Sequence, residues 1–240
     1  MFHVEHSVDL VPVLRRNGLV LSEAQCDLLE KYVELLMEWN QKVNLISRKD
    51  EDNVWAGHIL HSLSPLLRVD LPERAQVLDL GSGGGLPGVP LAILCEGWSV
   101  VLLDSIQKKC AAVEDIILRL GLSERIHVVC GRAEEKGIVQ KMGKTFDLVL
   151  ARGVAPLVDL VRWSRPYLKD GGSGSVKESV GGRYSVASPV LLAYKGGDLE
   201  AEIRAMQIKT QTGVAASVPL VFDGSEEMGL LEKKLIIIAP

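Results

Sequence analysis

With 240 residues, 47% hydrophobic and 24% charged, the chain has room for one large domain or a domain with a helical extension. Its longest apolar runs, such as Leu235 to Ala239, are too short to cross a bilayer, and Met1 to Leu10 has no apolar signal core, so a cytoplasmic protein is expected. A formal net charge of −4 argues against a broad nucleic-acid footprint, and Cys26, Cys95, Cys110 and Cys130, without C-x-x-C spacing, argue against a structural zinc site or a disulfide framework.

The predicted elements begin with helices over residues 1–72. Ser22 and Gln25 have capping-box spacing, and Leu28, Leu29, Tyr32, Leu36 and Trp39 then recur at helical intervals. A second amphipathic stretch sets Val54, Trp55, His58, Ile59, Ser62, Leu63 and Leu66 on one side, and Pro72 marks the change to a different pattern. Over residues 73–240 short apolar runs alternate with helical periods: Val77 to Leu80, Ser99 to Leu103, Ile126 to Cys130, Phe146 to Leu150 and Pro189 to Tyr194. Ala112, Val113, Ile116, Ile117 and Leu120 form a helical stripe that Gly121 ends. Such alternation predicts a doubly wound α/β fold with a mostly parallel sheet. A helix over Asp198 to Met206 and closing strands over Ala215 to Val221 and Lys233 to Ala239 add an antiparallel C-terminal hairpin. Asp170 to Ser188, rich in Gly, Ser and Lys with no steady period, is expected to be a mobile loop.

The run from Val77 to Gly88 joins the first strand of this sheet to a helix through Gly81, Ser82, Gly83, Gly84, Gly85 and Leu86. Glycines permit the positive φ and the close backbone approach that a turn beneath a ligand needs. The G-x-G-x-x-G spacing of Gly83, Gly85 and Gly88 alone fits a dinucleotide equally well. Three acids narrow it. Asp79 before the turn suits a cationic methionyl group better than a pyrophosphate, Asp104 ends the second strand where a ribose would lie, and Ala133 and Glu134 follow the third strand where an adenine amino group would lie. Together they predict a Rossmann-like S-adenosylmethionine (SAM) site, although singly Asp79 could cap the next helix and Asp104 and Glu134 could be solvated acids. Arg152, after the fourth strand, suits a substrate with carbonyl or phosphate acceptors, or makes a structural ion pair, and Lys195 allows the same two readings.

The segments Met1 to His6, Trp39-Asn40, Asn44 to Ser47, His58-Ile59-Leu60, Gly85-Leu86-Pro87-Gly88, Leu103-Asp104-Ser105 and Tyr194-Lys195-Gly196 together resemble the ribosomal RNA small subunit methyltransferase G (glucose-inhibited division protein B) family over nearly the whole chain. The resemblance implies methyl transfer from SAM to N7 of a guanine in bacterial small-subunit (16S) ribosomal RNA, with cofactor contacts at Gly81, Leu86, Ala133, Glu134 and Arg152. His61 departs from the acid usual after His-Ile-Leu in that family, and Ala151 and Gly153 flank Arg152 where a hydroxyl residue and alanine are commoner. N7 carries a free lone pair, so no base is required and catalysis by positioning, without metal, is expected. The expected partner is ribosomal RNA or the small subunit, met by a monomer through Arg15, Arg16, Lys42, Arg48, Lys49, Lys108 and Lys109. A SAM enzyme acting on a small molecule or protein, or a non-catalytic SAM-binding module, would share the cofactor features.

Overall fold

The first apolar residues repeat every three or four positions, and they fold accordingly as helices. The computed structural model describes residues 7–172, 174–179 and 182–239, so the Met1 to His6 motif lies outside the described residues. Helix α1 spans Ser7–Arg16 and α2 spans Glu23–Asn40. Ser22 caps α2 as its spacing predicts: its hydroxyl accepts from the Gln25 amide, and the Gln25 side chain accepts from the Ser22 amide. The next amphipathic stretch is not one regular helix. A 3-10 turn at Arg48–Asn53 runs directly into a π-helical turn at Val54–Leu60, followed by the short α3 (His61–Leu63) and α4 (Pro65–Arg68).

After β1 (Val69–Asp70) comes the alternation: β2 (Ala75–Leu80), α5 (Gly88–Leu94), β3 (Trp98–Asp104), α6 (Gln107–Leu120), β4 (Ile126–Cys130), α7 (Lys136–Met142), β5 (Leu148–Arg152) and α8 (Leu157–Ser164). Then follow β6 (Ser175–Glu178), β7 (Tyr184–Ala187), β8 (Val190–Gly196), α9 (Glu200–Thr210), β9 (Ala216–Pro219) and β10 (Lys233–Ile238). The main sheet has the order β4-β3-β2-β5-β8-β10-β9, parallel as far as β8 and antiparallel at both sides of β10. Alternate residues of each strand enter two different cores. Val77, Val100, Leu148 and Leu192 pack with α1, α2, α5 and α6, while Leu78, Leu103, Val149 and Leu191 pack with α8 and α9. The N-terminal helices therefore share the core on one face of the sheet. Successive strands run outward in opposite directions from β2 and β5, and the crevice at the carboxyl ends of these two strands is where such sheets take ligands.

The expectation for Asp170 to Ser188 requires correction. β6 and β7 pair antiparallel, with Val176 opposite Val186, and β1 joins β7 in parallel to complete a separate three-stranded sheet. The anchor is Arg183, which donates to the carbonyl oxygens of Leu66 and Leu67 and pairs with the Asp70 carboxylate, while Val186 is buried in the core beneath. Composition hid the hairpin because each strand is only four residues long and offers one apolar residue or two to bury.

Two outcomes follow. Arg183→Ala should release the hairpin, so that amides of 175–178 and 184–187 exchange much faster while those of β2 and β5 do not change; hydrogen exchange reads this by segment. Tyr32, buried in α2, donates its hydroxyl to the Gly84 carbonyl at 2.9 Å. Tyr32→Phe leaves that carbonyl unsatisfied and should cost roughly 1–3 kcal/mol in denaturant unfolding.

Candidate active site

The β2–α5 connection is built around one carboxyl. Asp79 is fully buried, and its Oδ2 accepts from the Gly88 amide at 2.8 Å, at the first residue of α5. Its Oδ1 has no partner among the described residues. Gly88 has no room for a side chain, because a Cβ there would lie 2.7 Å from Asp79 Oδ2 and 2.6 Å from Leu102. Burial pushes the Asp79 carboxyl up to about 7, against the opposing pull of the Gly88 amide and of Arg152 and with the help of Asp104. Asp79 thus lies under the turn and serves as its support. Oδ2 thus satisfies the first amide of α5, as a helix-capping carboxyl would, while Oδ1 stays buried beneath the turn. Ser82, Gly83, Gly85 and Leu86 shape the turn above it, with positive φ at Gly81, Gly83 and Gly85. α2 closes the turn from the other side through Tyr32 and Leu36, which crowd Gly84.

Two clefts open at the carboxyl edge. The smaller, about 180 Å³, is lined by Gly81, Asp104, Ala133 and Glu134, four of the residues expected to hold the cofactor. Asp104 is already committed at both oxygens, accepting from Gly83 N through Oδ2 and from Ile106 N through Oδ1, each at 2.9 Å. It couples the tip of β3 to the glycine turn of β2. The carbonyl of Ala133 accepts from the Tyr167 hydroxyl at 2.6 Å, which fixes the floor after β4. A Cβ on Gly81 would strike Val154 at 2.8 Å, so the bare backbone keeps this wall open. Val154 and Trp163 also line the cleft, and nothing in the sequence pattern separates Trp163 from the other residues of the α8 helix.

The larger cleft, about 700 Å³, holds Arg152 and Lys195. Lys195 does not carry a free charge there: its Nζ donates to Glu202 Oε1 at 2.6 Å and to the Ala155 carbonyl at 2.9 Å. Arg152 makes no ion pair among the described residues; its Nη2 meets His58 Nδ1 at 3.0 Å and its Nη1 the His58 carbonyl at 3.4 Å. Both histidines of this wall are kept neutral. Burial pushes His58 down to about 4 and His61 down to about 3, and the Arg152 cation pushes each further the same way. His61 stacks edge-on against Tyr194, with ring centres 5.5 Å apart, and Tyr194 donates its hydroxyl to the Ser62 carbonyl at 2.9 Å. Asp50, Asn53 and Lys233 complete the wall, and of these Lys233 is a cation that no motif had singled out.

The chain matches the family described as rRNA small subunit methyltransferase G over residues 25–176. A protein of that name from Chlorobium luteolum is 40% identical over 225 residues, covering 93% of this chain and 85% of the relative. Another from Chlorobaculum tepidum is 38% identical over 226 residues, covering 93% of each. The chain belongs to the rRNA small subunit methyltransferase G family. Among solved structures, Aeropyrum pernix fibrillarin, described with natively bound SAM, is similar in fold at a TM-score of 0.50 and 14% identity, covering 73% of this chain and 72% of that one. Among the described residues no cluster of three or more His, Cys, Asp or Glu could hold a metal ion, and no helix is long and apolar enough to cross a membrane.

The buried Asp79 makes stability depend on pH in a definite direction. Its folded value of about 7 lies above the ordinary 3.8, so its contribution is fully present below about pH 4 and is lost as pH rises through about 7. Unfolding free energies of the parent should fall by roughly 2–3 kcal/mol between pH 5 and pH 8 relative to Asp79→Asn, which keeps the acceptor for Gly88 without the charge. Parallel pH profiles for the two proteins would remove the carboxyl from this role.

Proposed function

We propose that this protein transfers the methyl group of SAM to N7 of a guanine in small-subunit ribosomal RNA, acting in the cytoplasm on the RNA or on the subunit that contains it. The observation that carries the reading is the pair of clefts at the ends of β2 and β5: one lined by Gly81, Asp104, Ala133 and Glu134, the other a larger hollow containing Arg152, which makes no ion pair among the described residues. Gly81, Asp104, Ala133 and Glu134 fit the adenosyl part of SAM, with the Asp104 carboxylate beside the ribose. Ser82, Gly83, Gly85 and Leu86 support the turn, and Asp79 acts from beneath it. When bound, SAM supplies an electrophilic methyl group on a cationic sulfur.

The chain's own residues then have a limited task. Guanine N7 brings its own lone pair, so no side chain must first remove a proton. Arg152 offers donors to O6 or to a phosphate oxygen of the nucleotide, and orients the base toward the methyl group. Lys195, tied to Glu202, helps through the shape of the wall and not as a free cation. The neutral imidazoles of His58 and His61 add no charge to compete with Arg152 for an acceptor. Of the cations expected to meet RNA, Arg16 and Lys42 are engaged with Asp223 and Glu38, whereas Arg48 and Lys49 start the 3-10 turn whose Asp50 and Asn53 border the larger cleft. We read Arg48, Lys49 and Lys233 as the nearer phosphate contacts.

The test is to map N7-methylguanine in ribosomal RNA from cells with and without the protein, and to repeat the transfer with purified subunits and labelled SAM. Loss of one N7-methylguanine in the small-subunit RNA is the expected result; methylation confined to a small molecule or a protein would overturn the reading. Asp104→Ala should weaken SAM binding by roughly 1.5–3 kcal/mol in calorimetry while the variant stays folded, because charge-assisted hydrogen bonds are lost. Unchanged affinity would place the ribose elsewhere.

A further inference from the structure

We infer that His58 is a positioning residue for Arg152: it clasps the guanidinium with a ring nitrogen and its own carbonyl, and sets the direction in which the arginine offers its remaining donors to the substrate. The inference rests on the functional reading above, in which Arg152 faces the base.

The argument starts from donors and acceptors. A guanidinium has only N–H donors, so at 3.0 Å the His58 Nδ1 must be the acceptor. The proton of the neutral ring therefore sits on Nε2. That nitrogen is buried with no hydrogen-bond partner among the described residues, and the Asp50 carboxylate lies 3.7 Å away on that side. An imidazolium could not accept from Arg152 at all, and burial together with the neighbouring cation holds His58 neutral at physiological pH. The charged groups facing the ring are Arg152 from β5 and Asp50 from the 3-10 turn, with neutral His61 close behind it on the chain.

The backbone adds a second grip. His58 lies in the π-helical turn Val54–Leu60, and its carbonyl accepts from Arg152 Nη1 at 3.4 Å as well as from the Ser62 hydroxyl at 2.6 Å. A π turn loosens the regular i to i−4 pattern, and such turns collect at functional sites. The clasp uses two of the five guanidinium N–H donors and contributes no negative charge, so Arg152 keeps its full cationic character for an acceptor in the cleft. An aspartate or glutamate in place of the imidazole would hold the arginine as firmly but would compete with that acceptor.

Three variants separate the clasp from mere packing. His58→Asn places a carbonyl oxygen where Nδ1 stood, His58→Leu fills similar space with no acceptor, and His58→Ala removes both. Methyl transfer to small subunits should fall on the order of 10- to 100-fold in the Leu and Ala variants, with the loss in kcat, and should recover to near the parent in the Asn variant. Thermal melts and SAM calorimetry on each variant check that the fold and cofactor site persist. A Leu variant as active as Asn, or an Ala variant as active as the parent, would overturn the inference.

A second measurement does not depend on activity. In the parent labelled with 15N-histidine, the His58 resonances, assigned by their absence in His58→Asn, should show a pyridine-type Nδ1 and a pyrrole-type Nε2 that persist down to about pH 5. The opposite tautomer, or a ring protonated at pH 7, would also overturn it. Should the parent fail to methylate ribosomal RNA while His58 shows the expected tautomer, the substrate reading fails and the clasp stands.

Discussion

A carboxyl held out of water beneath Gly88 is the constraint on which the site depends. Asp79 gives up hydration in order to satisfy the first amide of α5, and this fixes where that helix starts relative to β2. The turn between them must then close over a side chain, which is possible only because Gly88 has none. Asp104 ties the same turn sideways to β3 through Gly83, and Tyr32 ties it to α2 through Gly84. Three elements distant in sequence thus hold one short connection, and the cleft beside it is shaped before a ligand arrives. Such preorganisation is what a reaction that relies on positioning requires.

The parallel sheet and the glycine turn were legible in the sequence because their causes are local. Buried strands such as Val190 to Tyr194 read as continuous apolar runs, Gly121 stops α6 in the left-handed region, and Ser22 with Gln25 announces α2. Gly81, Asp104, Ala133 and Glu134, which are among the residues lining the smaller cleft, stood out in the sequence by their places after successive strands. What stayed hidden depends on tertiary contacts. Trp163 faces the cleft from a helix whose period only says that it packs. The hairpin of β6 and β7 exists because Arg183 reaches back to carbonyls before β1, a partner far away in the chain. Asp79 is a different case: two roles were open to it in the sequence, and the structure shows its carboxyl supporting the start of α5 from beneath the turn.

His58 was visible as a member of an amphipathic stretch and of the His58-Ile59-Leu60 segment, and His61 only as a departure from the acid usual after that segment. A regular helix would carry both rings on a predictable stripe; the π-helical turn shifts the register and turns the His58 carbonyl toward Arg152. No composition or spacing announces such a turn. It decides what faces Arg152, which makes no ion pair among the described residues.

This arrangement also reconciles an acidic chain with a polyanionic substrate. The formal charge of −4 is an average over the surface, and many of its cations are spent locally: Arg119 on Glu38, Arg204 on Glu200, Lys144 on Asp170, Lys195 on Glu202. Within the larger cleft the balance differs. Arg152 makes no ion pair among the described residues and its neighbouring rings are neutral, so the local potential favours an acceptor whatever the sum over the chain. A charge kept partly from water and without a counter-ion is costly to the free protein and is relieved only by a ligand that brings acceptors. Selectivity for an electron-rich nucleotide edge can therefore reside in a single guanidinium and the neutrality of its surroundings, and a broad basic surface is not required.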